Sequence, residues 1–309
     1  DWIDSENPAD EQPLGRAAAA TAGDVERAVA AADRAQPAWA AKSVWERAAS
    51  LRRLAASIRA RGPEILELEA RDTGNTLGKL CADVQIAAAY LEYFAGLASE
   101  IKGETVPASA RGLHFTLREP WGVVARIVPF NHPFMFAAAH LAAPLMAGNA
   151  VVVKTPESSP LTGALLGELC RDSLPPGLVN IVHGFGRPAG EALVRHPAVR
   201  RIGFTGSVAT GLAIQRAAAE SGVKHVTLEL GGKNPFIVFP DADLDQAVDQ
   251  AIAGMNFAWA GQSCGSTSRL LLHESIADEF IKHLVAWANQ LKAGDPADPA
   301  TKFGALTGA

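Results

Sequence analysis

The sequence has few cysteines, no long apolar run and no strong excess of either charge. Its three cysteines, Cys81, Cys170 and Cys264, are odd in number and far apart, which argues against a disulfide framework and against a metal site. It contains no stretch of about 18 apolar residues, as a transmembrane helix requires. The N-terminal stretch DWIDSENPADEQPLG is polar and acidic, unlike a signal peptide. We therefore expect a cytoplasmic protein without a bound metal.

The charge balance excludes further classes of partner. A net charge of −5 gives no electrostatic reason to expect binding to nucleic acid or to an anionic membrane. The apolar fraction of 48% is ordinary for a globular protein with a substantial core. A length of 309 residues suggests roughly two domains.

The N-terminal third is predicted to be mainly helical. Turn signals within residues 1–20 favour a short hairpin or an extended arm. An Ala-rich stretch follows, and Thr21 or Asp24 is a suitable N-cap for it. We interpret this region as scaffold, with Cys81 as a packing residue. The predicted helices are residues 24–36, 44–61, 63–73 and 77–97.

Residues 101–118 combine turn residues with alternating polar and apolar side chains, which predicts a β-hairpin. The segment lies outside any β-α-β rhythm. An open strand edge is a pairing site, so we expect the hairpin to project and to pair with another subunit.

From Trp121 onward, short apolar strands alternate with helical segments. This alternation predicts an α/β fold with a doubly wound parallel sheet. Such sheets bind ligands beyond the carboxyl ends of their strands, so the residues that follow each strand are the informative ones. The predicted strands are residues 122–128, 150–154, 179–183, 201–205 and 225–230. The predicted helices between them are residues 141–147, 161–173, 190–196 and 211–220.

Two strand ends carry polar groups. Asn131 follows the first strand, where its amide could stabilise an oxyanion or simply bond its own loop. Lys154 and Glu157 follow the second, where both could reach a ribose, since a carboxylate accepts hydroxyl hydrogen bonds and an ammonium donates one. The alternative is a solvated Lys–Glu pair.

The later strand ends add a phosphate-type turn and a carboxylate. Gly206 and Ser207 precede a helix that contains Gly211, and such a turn offers N–H groups and a hydroxyl to a phosphate. Glu229 lies in an apolar strand, where an unpaired carboxylate is costly. It could form a salt bridge with Lys233 or Lys224, or it could act as a base with a raised pKa.

Cys264 lies in the small-residue stretch NFAWAGQSCGSTSR, residues 256–269. This stretch connects a predicted helix, residues 247–257, to a predicted buried strand, residues 269–273, with a further helix predicted at 275–292. Small neighbours leave the sulfur approachable and backbone N–H groups free, as a nucleophile requires. A single cysteine is more often a small buried hydrophobe, but the polar clusters at the strand ends favour the nucleophile.

Five motifs now stand in order: PFNHP (129–133), KTPE (154–157), FTGS (204–207), LELGGK (228–233) and GQSCGSTSR (261–269). In sequence, order and spacing they resemble the aldehyde dehydrogenase superfamily, over nearly the whole chain. The resemblance implies oxidation of an aldehyde to a carboxylic acid with NAD through a cysteine thiohemiacetal and thioester.

The resemblance also implies roles for individual residues. Cys264 matches the nucleophile, Glu229 the general base, and Asn131 with the Cys264 backbone N–H the oxyanion hole. Because the Glu157 carboxylate would repel a 2′-phosphate, NAD is favoured over NADP, although NADP use is possible. The residues matched to cofactor binding are Lys154, Glu157, Gly206, Ser207 and Gly211, with Pro129 and Phe130 at the first strand end.

The resemblance predicts a domain plan. Residues 1–100 and 119–230 match the NAD-binding domain, residues 101–118 a projecting oligomerisation hairpin, and residues 231–309 the N-terminal part of an incomplete catalytic domain. A C-terminally truncated chain is expected, with a homodimer or homotetramer at full length. The family often has Trp where Phe130 stands and an aromatic residue where His132 stands, and these two departures leave the identity of the aldehyde open.

Two alternative functions remain. The scaffold could acylate coenzyme A or reduce an acyl phosphate, although a positioned Glu229 favours hydrolysis of a thioester. The chain could also be a non-catalytic nucleotide-binding fragment in which Cys264 is structural.

Overall fold

The computed structural model describes residues 1–307, so Gly308 and Ala309, the end of the predicted C-terminal loop, lie outside the described residues. Within these residues the chain forms eleven strands and eleven α-helices. The strands are β1 (Trp2–Glu6), β2 (Pro13–Ala18), β3 (Thr105–Ser109), β4 (Gly112–Phe115), β5 (Val123–Ile127), β6 (Ala150–Lys154), β7 (Val179–Val182), β8 (Val199–Gly206), β9 (His225–Leu230), β10 (Pro235–Val238) and β11 (Arg269–Leu272). The helices are α1 (Ala22–Ala40), α2 (Val44–Ala60), α3 (Gly62–Thr73), α4 (Leu77–Gly96), α5 (Pro133–Ala139), α6 (Ala142–Met146), α7 (Leu161–Ser173), α8 (Glu191–Arg195), α9 (Val208–Ser221), α10 (Leu244–Gly254) and α11 (Glu274–Ala288).

A five-stranded parallel sheet forms the centre of the molecule, with the strand order β7-β6-β5-β8-β9. The chain moves outward from β5 through β6 to β7 and then returns to β8 on the other side of β5. The predicted doubly wound α/β fold is therefore confirmed. The order reverses at β5, and the carboxyl ends of β5 and β8 flank the crevice where ligands of such sheets bind.

The helices that cover this sheet follow from their caps and apolar faces. In α1, Thr21 and Asp24 form a reciprocal capping box, so both predicted candidates take part. The helix continues through Pro37 to Ala40, beyond the predicted end at residue 36, because Trp39 is fully buried and donates its Nε1–H to the Leu145 carbonyl at 2.8 Å. Tertiary packing has outweighed the cost of a helical proline here.

A smaller unit follows the central sheet. Strands β10 and β11 pair in parallel, and α10 and α11 pack together, around a separate core that includes Val238, Ile252 and Phe280. The prediction of a buried strand at residues 269–273 is wrong in its burial, because alternate residues of β11 are exposed. The helix predicted to reach residue 257 ends at Gly254 and is followed by a separate 3-10 turn, Phe257–Trp259.

Two hairpins lie outside these layers. Strands β1 and β2 pair antiparallel, as do β3 and β4, so the hairpin predicted within residues 101–118 is confirmed. Every residue of β3 and β4 is exposed.

The interpretation of Cys81 as a packing residue is wrong, since this residue is exposed on α4. None of the helices in residues 1–307 is both long and apolar enough to cross a membrane.

Candidate active site

A cleft of about 880 Å³ opens at the carboxyl ends of β5, β6 and β8. Its other wall comes from the start of α9 and from the turn that leads into α8. This position is the one expected for a ligand of a doubly wound sheet. Six of the predicted cofactor-binding residues line it: Pro129, Phe130, Lys154, Glu157, Gly206 and Ser207.

Lys154 and Glu157 face each other across the turn after β6. The Lys154 ammonium is almost fully buried and donates to Glu157 Oε2 at 2.7 Å, whereas the Glu157 side chain is 47% exposed. Burying a lysine is costly unless it is paired, and this carboxylate is the partner. The exposed Glu157 side chain keeps acceptor capacity for hydroxyl groups of a ligand.

The N-terminus of α9 faces the same cleft. Ser207 is its N-cap, and its Oγ accepts a hydrogen bond from the Thr210 backbone N–H at 3.2 Å. The other N–H groups of the first turn have no helical partners, which makes this end suitable for an anion. Gly211, also matched to cofactor binding, does not line the cleft. It is buried in α9 against Leu230, and a Cβ at this position would lie 3.0 Å from the Leu230 Cδ2. It allows α9 to pack closely on β9.

Three arginines that the sequence reasoning did not single out also line the cleft: Arg187, Arg195 and Arg216. Arg195 is paired with Glu191 and Glu220. Arg187 follows the Gly184–Gly186 loop directly, and this proximity to a glycine-rich strand end was the one signal that could have identified it. Arg187 also pairs with Glu191, at 2.9 Å, so carboxylates of the same wall balance two of the three arginines.

The Cys264 turn is held by its backbone. Asn256 and Ala260 adopt left-handed conformations at φ 55° and φ 50°, and they bracket the 3-10 turn that precedes the thiol. Asn234 donates its side-chain amide to the Cys264 carbonyl at 2.8 Å. Asn234 was missed by the sequence reasoning, although it directly follows the LELGGK motif. The Cys264 residue itself is exposed, as a nucleophile must be.

Asn131 is brought directly to this turn. Its Nδ2 donates to the Gln262 carbonyl at 2.8 Å, two residues before Cys264, while its Oδ1 is buried without a partner. Its own carbonyl accepts from Asn75 Nδ2 at 2.8 Å. An amide nitrogen carries two hydrogens, so Asn131 can hold the turn with one and still offer the other.

The loop after Asn131 is anchored to buried carboxylates of α3 and α4. His132 Nδ1 lies 2.7 Å from Asp83 Oδ2, and both side chains are buried. The Phe134 backbone N–H donates to Glu69 Oε1 at 3.0 Å. The His132 ring also meets the Trp259 ring edge-on, with centroids 4.8 Å apart. These contacts, which the sequence reasoning missed, connect the helical scaffold to the cysteine turn.

The apolar sequence of β9 predicted apolar surroundings for the Glu229 carboxylate, and the structure differs. Glu229 is exposed, and it lines a second cavity rather than the cleft. The alternative salt bridge to Lys224 is wrong, because that ammonium donates to the carbonyls of Val194 and His196 at 2.7 and 2.6 Å. The hydrogen bonds of residues 1–307 thus join Asn131 to the Cys264 turn but do not join Glu229 to it.

The other two cysteines differ from Cys264 in their surroundings. Burial raises the pKa of the Cys170 thiol to about 12, so this group stays protonated and unreactive at neutral pH. Cys81 is exposed on α4. Among the described residues, no group of three or more His, Cys, Asp or Glu side chains could hold a metal ion.

Comparison with known proteins places the chain in a family. Residues 1–309 match the model of the aldehyde dehydrogenase family, and the chain therefore belongs to that family. It is 46% identical over 304 residues to the aldehyde dehydrogenase tropH of Talaromyces stipitatus, covering 97% of this chain and 59% of that protein.

Two solved structures are similar over the whole chain. PnpE from Pseudomonas sp. WBC-3 shares 43% sequence identity and a TM-score of 0.96, and an aldehyde dehydrogenase from Bacillus cereus shares 36% and 0.96. Each comparison covers 100% of this chain and 63% of the other. The chain thus spans about three fifths of the length of the relatives it matches.

Proposed function

We propose that the protein oxidises an aldehyde to a carboxylic acid with NAD, using Cys264 as the nucleophile. The observation that carries the proposal is the 2.8 Å hydrogen bond from the Asn131 amide to the Gln262 carbonyl. It brings the amide proposed to stabilise the oxyanion to the turn that bears the exposed thiol. Asn131 follows β5 directly after Pro129 and Phe130, which line the cleft.

The residues of the cleft fit a dinucleotide. The Glu157 carboxylate would accept hydrogen bonds from a ribose, with Lys154 holding it in place, and the N–H groups at the start of α9 would take the phosphates. PnpE has been crystallised with nicotinamide adenine dinucleotide, and another similar structure is described as an NADP-dependent enzyme. The exposed carboxylate of Glu157 favours NAD here.

The chemistry at the thiol follows from the groups around it. The Cys264 sulfur, once deprotonated, attacks the aldehyde carbon, and the resulting oxyanion accepts hydrogen bonds from the Asn131 amide and the Cys264 backbone N–H. NAD, when bound, would supply the acceptor for the hydride that leaves this carbon, and loss of the hydride converts the thiohemiacetal into a thioester. The base proposed for the hydrolysis is Glu229, which lines the neighbouring cavity and would have to turn toward the thiol from there. It would take a proton from the water that attacks the carbonyl carbon of the thioester, and this attack releases the acid and the thiol.

The domain plan is proposed in the same terms. Residues 1–100 and 119–230 would form the NAD-binding domain, and the residues from 231 onward would form part of the catalytic domain. Strands β10 and β11 with their own core support a separate unit.

Three unpaired cysteines support a location in the reducing cytoplasm, which cell fractionation can check.

The function is tested by following NADH formation with a panel of aliphatic, aromatic and polar aldehydes. Aldehyde-dependent NADH with release of free acid, without coenzyme A or phosphate, supports the proposal. A strict requirement for coenzyme A or phosphate would identify the acylating or acyl-phosphate reaction instead. NAD binding without turnover on any aldehyde would support a nucleotide-binding role alone.

The Glu157 carboxylate yields a prediction about cofactor choice. Glu157→Gln removes the negative charge that would repel a 2′-phosphate, so NAD affinity should fall about tenfold while NADP affinity stays constant or rises. Calorimetric titration with both cofactors measures this. Glu220→Gln is the matched control, because Glu220 lines the same cleft but pairs with Arg195. An unchanged NAD-to-NADP ratio in Glu157→Gln would contradict the assignment.

We further propose that the β3–β4 hairpin pairs with another subunit. It exposes apolar side chains, including Leu113 at 74% and Phe115 at 57%, and exposed apolar strands are association sites. Leu113→Asp should therefore lower the molar mass found by light scattering. Val223→Asp, at a fully exposed apolar residue outside the hairpin, should leave the molar mass unchanged. Equal masses for all three proteins would rule out this hairpin as the contact.

A further inference from the structure

The connection between α3 and α4, residues 74–76, lies between the two halves of the candidate site. Asn75 and Thr76 are buried there, with exposed fractions of 1% and 2%. Both side chains are polar, and burying a polar side chain is costly unless it is hydrogen-bonded. The partners of these two side chains therefore show what the connection holds.

Each of the two side chains reaches a distant part of the chain. The Asn75 Nδ2 donates to the Asn131 carbonyl at 2.8 Å, across 56 residues. Thr76 is the N-cap of α4, and its hydroxyl donates to the Ala258 carbonyl at 3.4 Å, across 182 residues. Ala258 belongs to the 3-10 turn that precedes Cys264. Such residues commonly bond their own loop or cap their own helix, whereas here they join the connection to both halves of the site.

Asn75 is itself fixed from its own side of the contact. Gly74 has φ 80°, in the left-handed region that glycine adopts at little cost, and a Cβ there would lie 2.6 Å from the Ala305 carbonyl oxygen. The Asn75 backbone N–H donates to Thr73 Oγ1 at 3.1 Å, and that hydroxyl donates to the Glu69 carbonyl at 2.7 Å. The Asn75 amide is therefore a fixed point against which Asn131 can be held.

Asn131 is held at two points. Its carbonyl accepts the hydrogen bond from Asn75, and its side-chain amide donates to the Gln262 carbonyl at 2.8 Å. The first bond fixes the peptide plane that follows the Asn131 Cα, and the second fixes the amide. The other anchors of this loop hold the residues that follow, whereas Asn75 bonds Asn131 itself. Loss of the Asn75 amide would leave the Asn131 carbonyl without this donor and free the plane to rotate.

We propose that Asn75 is a positioning residue for the proposed oxidation and that it acts by holding the Asn131 amide where that amide stabilises the oxyanion. The proposal rests on the proposed function and adds one residue to it. A donor to an oxyanion is effective only when it is already in place, and a displacement of about 1 Å can cost about 10²-fold in rate. Because the oxyanion exists only after the thiol has attacked, we expect the effect on kcat and not on the binding of NAD or aldehyde.

The first measurement is aldehyde-dependent NADH formation by Asn75→Ala. Its kcat and kcat/KM should fall together by at least about tenfold, with the KM for the aldehyde and the calorimetric Kd for NAD unchanged. Asn75→Leu, which fills a similar space without a donor, should show the same loss, so that a cavity does not explain it. Asn180→Ala is the matched control, because the Asn180 amide also donates to a backbone carbonyl, that of Gly177 at 2.7 Å, and its loss should leave kcat unchanged.

A double-mutant cycle separates positioning from a general loss of structure. Asn131→Ala removes the amide but keeps the backbone carbonyl that Asn75 bonds. If Asn75 acts through that amide, adding Asn75→Ala to Asn131→Ala should lower kcat by no more than about twofold. A residue with a merely structural role would lower kcat by the same factor in both backgrounds.

The outcomes distinguish the two proposals. A kcat of Asn75→Ala within about twofold of the unaltered protein, or equal factors in the two backgrounds, would overturn the role of Asn75 and leave the proposed oxidation standing. Loss of NAD binding in both Asn75→Ala and Asn75→Leu would show a structural role and overturn it as well. An unaltered protein that forms no NADH with any aldehyde would overturn the proposed oxidation and the role of Asn75 with it.

Discussion

Replacing Cys264 by alanine is expected to lower aldehyde-dependent NADH formation at least about 10³-fold while leaving NAD binding intact. The reason is chemical, because the covalent route splits a difficult step into two and needs a sulfur on the attacked carbon. The turn should keep its shape, since the Asn234 amide and the Asn131 amide hold backbone carbonyls of the turn and not the thiol. NADH absorbance and calorimetric NAD titration measure the two quantities separately.

Cys81→Ala is the matched control for that experiment. Its thiol is also exposed, but it lies on α4 and has none of the roles proposed for the cysteine turn. Its removal should leave the rate unchanged and should leave alkylation of Cys264 by iodoacetamide unaffected. Turnover retained in Cys264→Ala, or lost in Cys81→Ala, would refute the assignment of the nucleophile.

The second large effect concerns stability and pH. Burial, with small contributions from Asp72 and Asp83, raises the pKa of Glu69 from its ordinary 4.5 to about 8. The folded state therefore binds a proton that the unfolded state has released between these values, and the free energy of unfolding falls as pH rises from about 4.5 to about 8. The ionised group is fully buried and one oxygen has no partner, so the expected loss is on the order of a few kcal/mol.

Glu69→Gln should abolish much of this pH dependence. The amide retains an acceptor for the Phe134 N–H and never ionises, so the variant should match the unaltered protein at pH 5 and exceed it in stability at pH 8. Urea unfolding at both pH values measures the difference. Glu67→Gln, on the exposed face of the same helix, should change neither value by more than about 0.5 kcal/mol. The same change in stability between pH 5 and pH 8 in Glu69→Gln as in the unaltered protein would contradict the raised pKa of Glu69.

The central sheet could be predicted because its signals are local. Each of the five apolar strands ends in a turn, and the spacing between them leaves room for one helical connection, which restricts the topology to a few right-handed arrangements. Helix α7 and strand β9 have the predicted bounds because apolar periodicity and turn residues agree there. Strand β10 was missed, since its four residues follow the Gly231–Gly232 turn too closely to show a pattern.

The candidate site shows where such reasoning fails. Their places after predicted strands and the motifs that resemble the aldehyde dehydrogenase superfamily identified Lys154, Glu157 and the Cys264 turn, because chemical type alone left a solvated ion pair and a structural cysteine open. Asn75, Asp83 and Asn234 could not be found this way. Their roles depend on which distant loop they meet, and a polar residue at the end of a helix or strand is common in any sequence. The exposure of Glu229 likewise depends on which elements cover β9, and the apolar strand pattern does not show this.

Residues 305–307 contact both the end of α3 and the cysteine turn. The Ala305 N–H donates to the Gly74 carbonyl at 3.0 Å, Thr307 Oγ1 donates to the Thr73 carbonyl, and the Thr307 N–H meets Gln262 Oε1 at 3.4 Å. The Thr307–Thr73 contact joins residues 234 apart in the chain.

Contacts of such long range form late, because the loop they close must first be ordered. During synthesis, α3 and the central sheet emerge and can pack well before residue 307 reaches Thr73. The contact between Thr307 and Gln262 therefore forms only after the central sheet, and the cleft at the ends of its strands, can already be packed.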